Sequence, residues 1–123
     1  MATSPKTARA RGQAIEQLAA QWLQQHGLRL IASNHHVKGG ELDLIMQDAD
    51  ILVFVEVKHR KSSRHGHPLE SVTVQKQQRL IRAARLYLAA LRHPVPCRFD
   101  VVAMTGTPPD VDIEWVKAAF DAF

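Results

Sequence analysis

The stretch Ile51-Leu-Val-Phe-Val-Glu-Val-Lys58 decides how this chain is read. Its first five residues are all apolar and three are β-branched, the composition that favours a strand buried on both faces. The run then ends abruptly in Glu56-Val57-Lys58 and a basic segment, His59-Arg-Lys-Ser-Ser-Arg-His-Gly-His67. Side chains alternate along a strand, so Phe54, Glu56 and Lys58 point one way and Val53, Val55 and Val57 the other. Charges at the end of such a strand are either a solvated exit from the core or a site held in place by it.

The segment before it narrows the choice. Gly39-Gly40 punctuates the chain, and Glu41-Leu-Asp-Leu-Ile-Met46 reads as a second extended segment in which Glu41, Asp43 and Ile45 share a face. Closing a hairpin through Gln47–Asp50, or through a two-residue turn at Asp48-Ala49, predicts Asp43 opposite Phe54 and Glu41 opposite Glu56. Either closure puts Glu41, Asp43, Glu56 and Lys58 on one surface, with Asp43 and Glu56 diagonal neighbours. An odd-length loop would turn the second strand over and destroy the arrangement.

Carboxylates and a lysine within mutual reach suit a hard divalent cation such as Mg²⁺, which prefers oxygen ligands and keeps several waters. Such a site can activate water against a phosphodiester, with the lysine orienting that water or stabilising added charge. The competing reading of Glu56 and Lys58 is a surface ion pair at a sheet edge, worth only ~0–1 kcal/mol.

Further out, Ile15, Leu18, Ala19, Trp22 and Leu23 follow helical spacing between Thr7 and His26, with Gly27 as a stop, and Leu28–Asn34 reads as extended. A loop is expected from His59 to Ser71. Leu80, Ile81, Ala84, Tyr87, Leu88 and Leu91 mark one face of a helix over Val72–Arg92, ended by Pro94 and Pro96. Arg98–Met104 and Val111–Val116 read as two further strands around Gly106-Thr-Pro-Pro-Asp110. Helix, three strands, helix, strand, strand predicts an α/β architecture whose mixed sheet begins as an antiparallel meander.

With 123 residues, one core and a single domain over 1–123 are expected, beginning with a flexible basic N-terminus over 1–11. No apolar run approaches the roughly 20 residues that span a bilayer, and Met1–Lys6 lacks the apolar region of a secretory signal. One cysteine, Cys97, precludes an internal disulfide framework and most thiolate zinc sites, so a reducing cytoplasm is expected. Lys and Arg exceed Asp and Glu by 16 to 12, which is compatible with a nucleic-acid partner without requiring one. His35 and His36 are adjacent and point apart, and the histidines show no zinc-site spacing. Trp22, Tyr87 and Trp115 are assigned to the core, Cys97 is an inert thiol, and Asp100 is a structural partner for Arg98.

Taken together, Gly39–Ile45, Leu52–Ser62, Lys76, Arg98–Val102 and a closing Ala-Phe closely resemble the YraN family over Gly12–Phe123. That family is similar to archaeal Holliday-junction resolvases and to the restriction-endonuclease-like superfamily. The resemblance implies an αβββαβ nuclease core with a mixed central sheet flanked by helices. It makes Asp43 and Glu56 metal-binding acids and Lys58 the catalytic lysine, with Mg²⁺ or Mn²⁺ as cofactor. Glu16 falls where related resolvases carry a further metal-associated glutamate, and it either reaches inward or is a solvated helix-edge charge. Glu41 is either a supporting ligand or a structural acceptor.

On this reading the partner is DNA, including branched DNA, with no membrane role and a homodimer suited to two symmetric cuts. Arg60, Lys61 and Arg64 would hold flanking phosphates, and Lys76, in the first turn of its helix, would add another phosphate contact. Arg79, Arg82 and Arg85 are assigned to a solvated face. The rival is a catalytically silent nucleic-acid-binding module that keeps the nuclease fold.

Overall fold

The alternation in Ile51–Lys58 is resolved by two helices that cover opposite faces of one sheet. The computed structural model describes residues 8–62, 64 and 66–121. Helix α1 (Ala8–Gln25) leads into strands β1 (Arg29–Val37), β2 (Gly40–Asp48) and β3 (Ile51–Arg60). A short 3-10 turn (Pro68–Ser71) precedes helix α2 (Val74–Ala89), and β4 (Cys97–Thr107) and β5 (Asp110–Phe120) complete the chain. The strands lie in sequence order, antiparallel except for the parallel β3–β4 pair that α2 connects. This is a restriction-endonuclease-like αβββαβ core with a fifth strand on its edge. The expected flexible segment 1–11 lies largely outside the described residues; its last four residues belong to α1.

Val53 and Val55 pack with Ala19, Ala20 and Leu23 of α1, whereas Leu52 and Phe54 pack with Leu80, Ala83 and Ala84 of α2. Two-residue periodicity therefore divides the core into two layers, and β3 supplies both. Full burial of a side chain such as Phe54 contributes roughly 1.5–3 kcal/mol. α2 starts two residues later than its apolar pattern predicts, because Thr73 caps it by accepting the Lys76 N–H at 3.2 Å.

The β2–β3 turn corrects the expected register. Asp48 pairs with Ile51 across a turn at Ala49-Asp50, where Ala49 adopts a left-handed φ of 55°. Pairing is displaced by two residues, with Ile45 rather than Asp43 opposite Phe54. An even displacement keeps the paired residues of β2 and β3, from Leu44–Val55 to Asp48–Ile51, on their intended faces despite the wrong turn.

The β2–β3 ladder stops at Leu44–Val55, while β3 continues along β4 as far as Arg60–Thr105. The shared face assigned to Glu41, Asp43 and Ile45 also needs correction. Leu42 sits in the α2 layer with Ile45, so regular alternation is lost between them. Asn34, in the part of β1 alongside Asp43, has a left-handed φ of 51°. The sheet opens at Asp43.

On the α1 face, Asp100 anchors the other end of the sheet. It is fully buried and accepts from Arg98 Nε at 2.9 Å, Trp115 Nε1 at 2.9 Å and the Ala118 backbone N–H at 3.0 Å. Arg98 also reaches Asp48 at 2.9 Å, tying β4 to the end of β2. The structural pairing read for Arg98 and Asp100 is present. Trp22 and Trp115 meet edge-to-face at 6.0 Å in the α1 layer, only partly buried.

Candidate metal centre where the sheet opens

Where β2 parts from β3, backbone groups need other partners. The Val57 N–H is donated to Asp43 Oδ2 at 3.0 Å, so a carboxylate completes the interrupted ladder. Asp43 thereby stands in the opening between the two faces. From the α1 side comes Glu16; from the α2 side come Glu56, Lys58 and Lys76. One oxygen each from Glu16, Glu41 and Asp43 lies within 4.8 Å of the others. Of the alternatives for Glu16, the inward one is realised.

This separation suits a common cation. Oxygen ligands at about 2.0–2.6 Å from an ion lie no more than roughly twice that distance from one another. Glu16 Oε1 supplies a second indication, because it is buried without a hydrogen-bond partner among the described residues. Asn34 and Asp43 approach the same carboxyl group, yet that oxygen is left without a donor. A buried acceptor with no donor fits a cation ligand better than a structural acceptor. The residues present therefore fit a divalent ion.

The electrostatics agree. Burial, the adjacent Glu56 carboxylate and its hydrogen bond to Asp43 push the Asp43 carboxyl up to about 9, against the opposing Val57 N–H. Glu16 is also raised, first by burial and then by Glu41. Without an added cation Asp43 retains its proton near neutrality.

Glu56 is only 6% exposed, and its Oε2 holds Lys76 Nζ at 3.0 Å and Lys58 Nζ at 3.3 Å. Burial, followed by the neighbouring Lys76, lowers Lys58 below the usual lysine range, while Glu56 opposes the shift. For Lys76, burial also acts downward, but its interactions with Lys58 and Glu56 outweigh it and the net shift is upward. Glu41 is exposed on the rim, 3.7 Å from His36 Nδ1.

Two clefts, with no lining residue in common, border the acidic residues. A small one of about 270 Å³ is lined by Glu41, Asp43, Glu56, Lys76 and Arg79. The larger, about 820 Å³, is lined by Arg11, Glu16, His59, Arg60, Lys61 and Arg64, among others. It is centred beside the acids rather than on them, and Glu16 borders both the larger cleft and the acidic cluster. Arg60, Lys61 and Arg64 thus gather along one cleft, whereas Lys76 lies apart from them on Glu56. Sequence reasoning missed the Lys76–Glu56 contact, because it depends on how α2 docks over β2 rather than on any local spacing. It also missed Arg79, which is exposed as expected but stands on the rim of the acidic cleft.

A family model described as uncharacterised protein family UPF0102 matches residues 15–104. The chain belongs to that family. A UPF0102 protein of Chromohalobacter salexigens is 55% identical over all of both chains. Another, from Klebsiella pneumoniae, is 52% identical over 89% of this chain and 84% of its own. A third, from Xanthomonas campestris, is 47% identical over 94% and 95%, respectively. The UPF0102 match spans Glu16, Glu41, Asp43, Glu56, Lys58 and Lys76, together with the basic residues 60–64. Among the described residues, no helix is long and apolar enough to cross a membrane.

Proposed function

We propose that this protein is a metal-dependent endonuclease that hydrolyses DNA phosphodiester bonds, with branched DNA as the favoured substrate. The observation that carries this reading is the meeting of Glu16, Glu41 and Asp43 oxygens within 4.8 Å, beside the buried Glu56–Lys58 pair. Asp43 and Glu56, with Glu16 and Glu41 as further ligands, would hold Mg²⁺ or Mn²⁺. Such an ion, when bound, supplies Lewis acidity toward a phosphate oxygen and makes a coordinated water more acidic.

The remaining work falls to the chain itself. Lys58, depressed by burial and by Lys76, is suited to take a proton from the attacking water or to hold it in line. Arg60, Lys61 and Arg64 would grip phosphates on either side of the cut, and they carry no sequence information when they do so. Arg11 and His59 extend the same cleft. A homodimer in the cytoplasm would present two such sites to a symmetric junction.

Cleavage of linear, single-stranded and four-way-junction DNA with Mg²⁺ or Mn²⁺ tests the reading. The expected result is metal-dependent cutting that Asp43→Ala, Glu56→Ala and Lys58→Ala each abolish. Cutting that survives all three substitutions rejects the site. Salt-sensitive DNA binding without cutting under any metal favours the silent-binding alternative.

A further inference from the structure

Glu56 Oε2 is engaged by two ammonium groups at once, and the two are held differently. Lys58 extends from β3 and its side chain is 16% exposed. Lys76 reaches down from the first turn of α2, is 37% exposed, and borders the mouth of the small acidic cleft beside Arg79. A carboxylate oxygen has about two acceptor positions. Both positions on this oxygen are taken, by like charges that repel each other.

Resting on the metal-dependent reading above, we infer that Lys76 is a displaceable cation of this site. Its ammonium sits on Glu56 while no divalent ion is bound. It leaves when Glu56 contributes to an ion's ligand set, and it then serves a substrate phosphate at the cleft mouth. Lys58 stays, because its strand and its burial leave it no comparable route to solvent. The physical cause is competition: an ion drawing on the Glu56 charge weakens the hold on the more exposed ammonium, and an incoming phosphate offers that ammonium a new partner. Lys76 would then be a positioning residue that also weakens resting ion affinity.

Limited amine acylation read by mass spectrometry tests this on the full chain, with Mn²⁺ or Mg²⁺ occupancy followed by calorimetry. Saturation with the ion is expected to raise Lys76 modification at least about threefold over the exposed Lys117, with Lys58 unchanged. Lys76→Met and Lys76→Gln, which remove the competitor, should bind the ion about tenfold tighter. Lys76→Arg, which keeps the charge but can grip the carboxylate with two donors, should bind it more weakly than the native protein. Ion binding with unchanged Lys76 reactivity, or with unchanged affinity in the Met and Gln variants, overturns the displacement and leaves the metal site standing. Failure of the native protein and all variants to bind either ion overturns both.

Discussion

Two aspartates of this sheet, the half-buried Asp43 and the fully buried Asp100, are treated in opposite ways by the same scaffold. Asp100 is surrounded by donors: a guanidinium, an indole N–H and a backbone N–H. Its neighbour Ala118 even adopts a left-handed φ of 50° beside the bulge in β5, where its N–H turns to the carboxylate. Asp43 receives the Val57 N–H and otherwise faces the carboxyl groups of Glu16 and Glu56. Burying an ionised group costs several kcal/mol unless partners compensate, and only Asp100 has them within the protein. A fold that satisfies one carboxylate fully is able to satisfy another. Leaving Asp43 among acids costs stability that the architecture does not require, and this is the pattern of a site awaiting an external cation.

The largest effect should come from removing the Asp43 charge. Asp43→Asn keeps an oxygen for the Val57 N–H but removes the anion, and we expect cleavage to fall about 1,000-fold, roughly 4 kcal/mol of barrier. Stability should move the other way. In the native protein Asp43 keeps its proton up to about 9, whereas in the unfolded chain it ionises near 3.8. Between those values the unfolded state binds fewer protons, so stability declines as pH rises through this window and levels off above it. Thermal unfolding from pH 4 to 9 in chelator should show that decline in the native protein and its loss in Asp43→Asn, which should be the more stable of the two at pH 8. Saturating Mn²⁺ should restore the native protein and leave the variant unaffected. An identical pH slope in both would break the contrast at its weaker end.

Asp100→Asn should do the reverse, with a somewhat smaller magnitude. Replacing this carboxylate strips Arg98 of its fully buried charge partner, leaving Asp48 as the other. Breaking a buried pair in this way costs about 3 kcal/mol. We expect chemical denaturation to register that loss, and DNA cleavage below the melting range to remain near native. A loss of cleavage without a loss of stability would mean that the two aspartates do not divide into structural and functional kinds.

Much of the geometry behind this contrast is legible in the sequence, for reasons that can be named. Alternation in Ile51–Lys58 places Glu56 and Lys58 on one face, and the even length of the preceding connection preserves this although the turn lies one residue later than expected and the pairing shifts by two. Arg98 and Asp100, two apart on one strand, are legible as a pair for the same reason. Parity is robust; register is not. What could not be read was the opening of the sheet at Asp43. It depends on a left-handed Asn34 and on Leu42 breaking alternation; asparagine favours that φ more than most residues, but residue type alone does not say where a sheet parts. Lys76 escaped for a different reason. Its spacing within α2 was correct, but its contact with Glu56 is set by tertiary docking, to which helical periodicity is blind. The 3-10 turn at Pro68–Ser71, capped by His67 Nδ1 accepting the Leu69 N–H at 3.1 Å, was likewise hidden inside a segment read as loop.

The smallest effect sharpens the comparison at its edge, where α2 approaches the opening. Thr73 Oγ1 accepts the Lys76 N–H at 3.2 Å, so the residue that fixes the start of the helix also fixes the backbone from which Lys76 reaches Glu56. Loss of an N-cap side chain costs about 1 kcal/mol, for which a chain of this size should melt about 3–5 °C lower. Thr73→Ser keeps a hydroxyl acceptor and should recover most of that loss, whereas Thr73→Ala should not. Because the cap lies on the α2 side, its removal should loosen Lys76 without touching Asp100. Hydrogen exchange should rise at residues 74–77 and stay native around β4 and β5. Faster exchange spreading to the Ala118 amide would mean that the two aspartates share one cooperative unit, and that the satisfied one does not stand apart from the unsatisfied one.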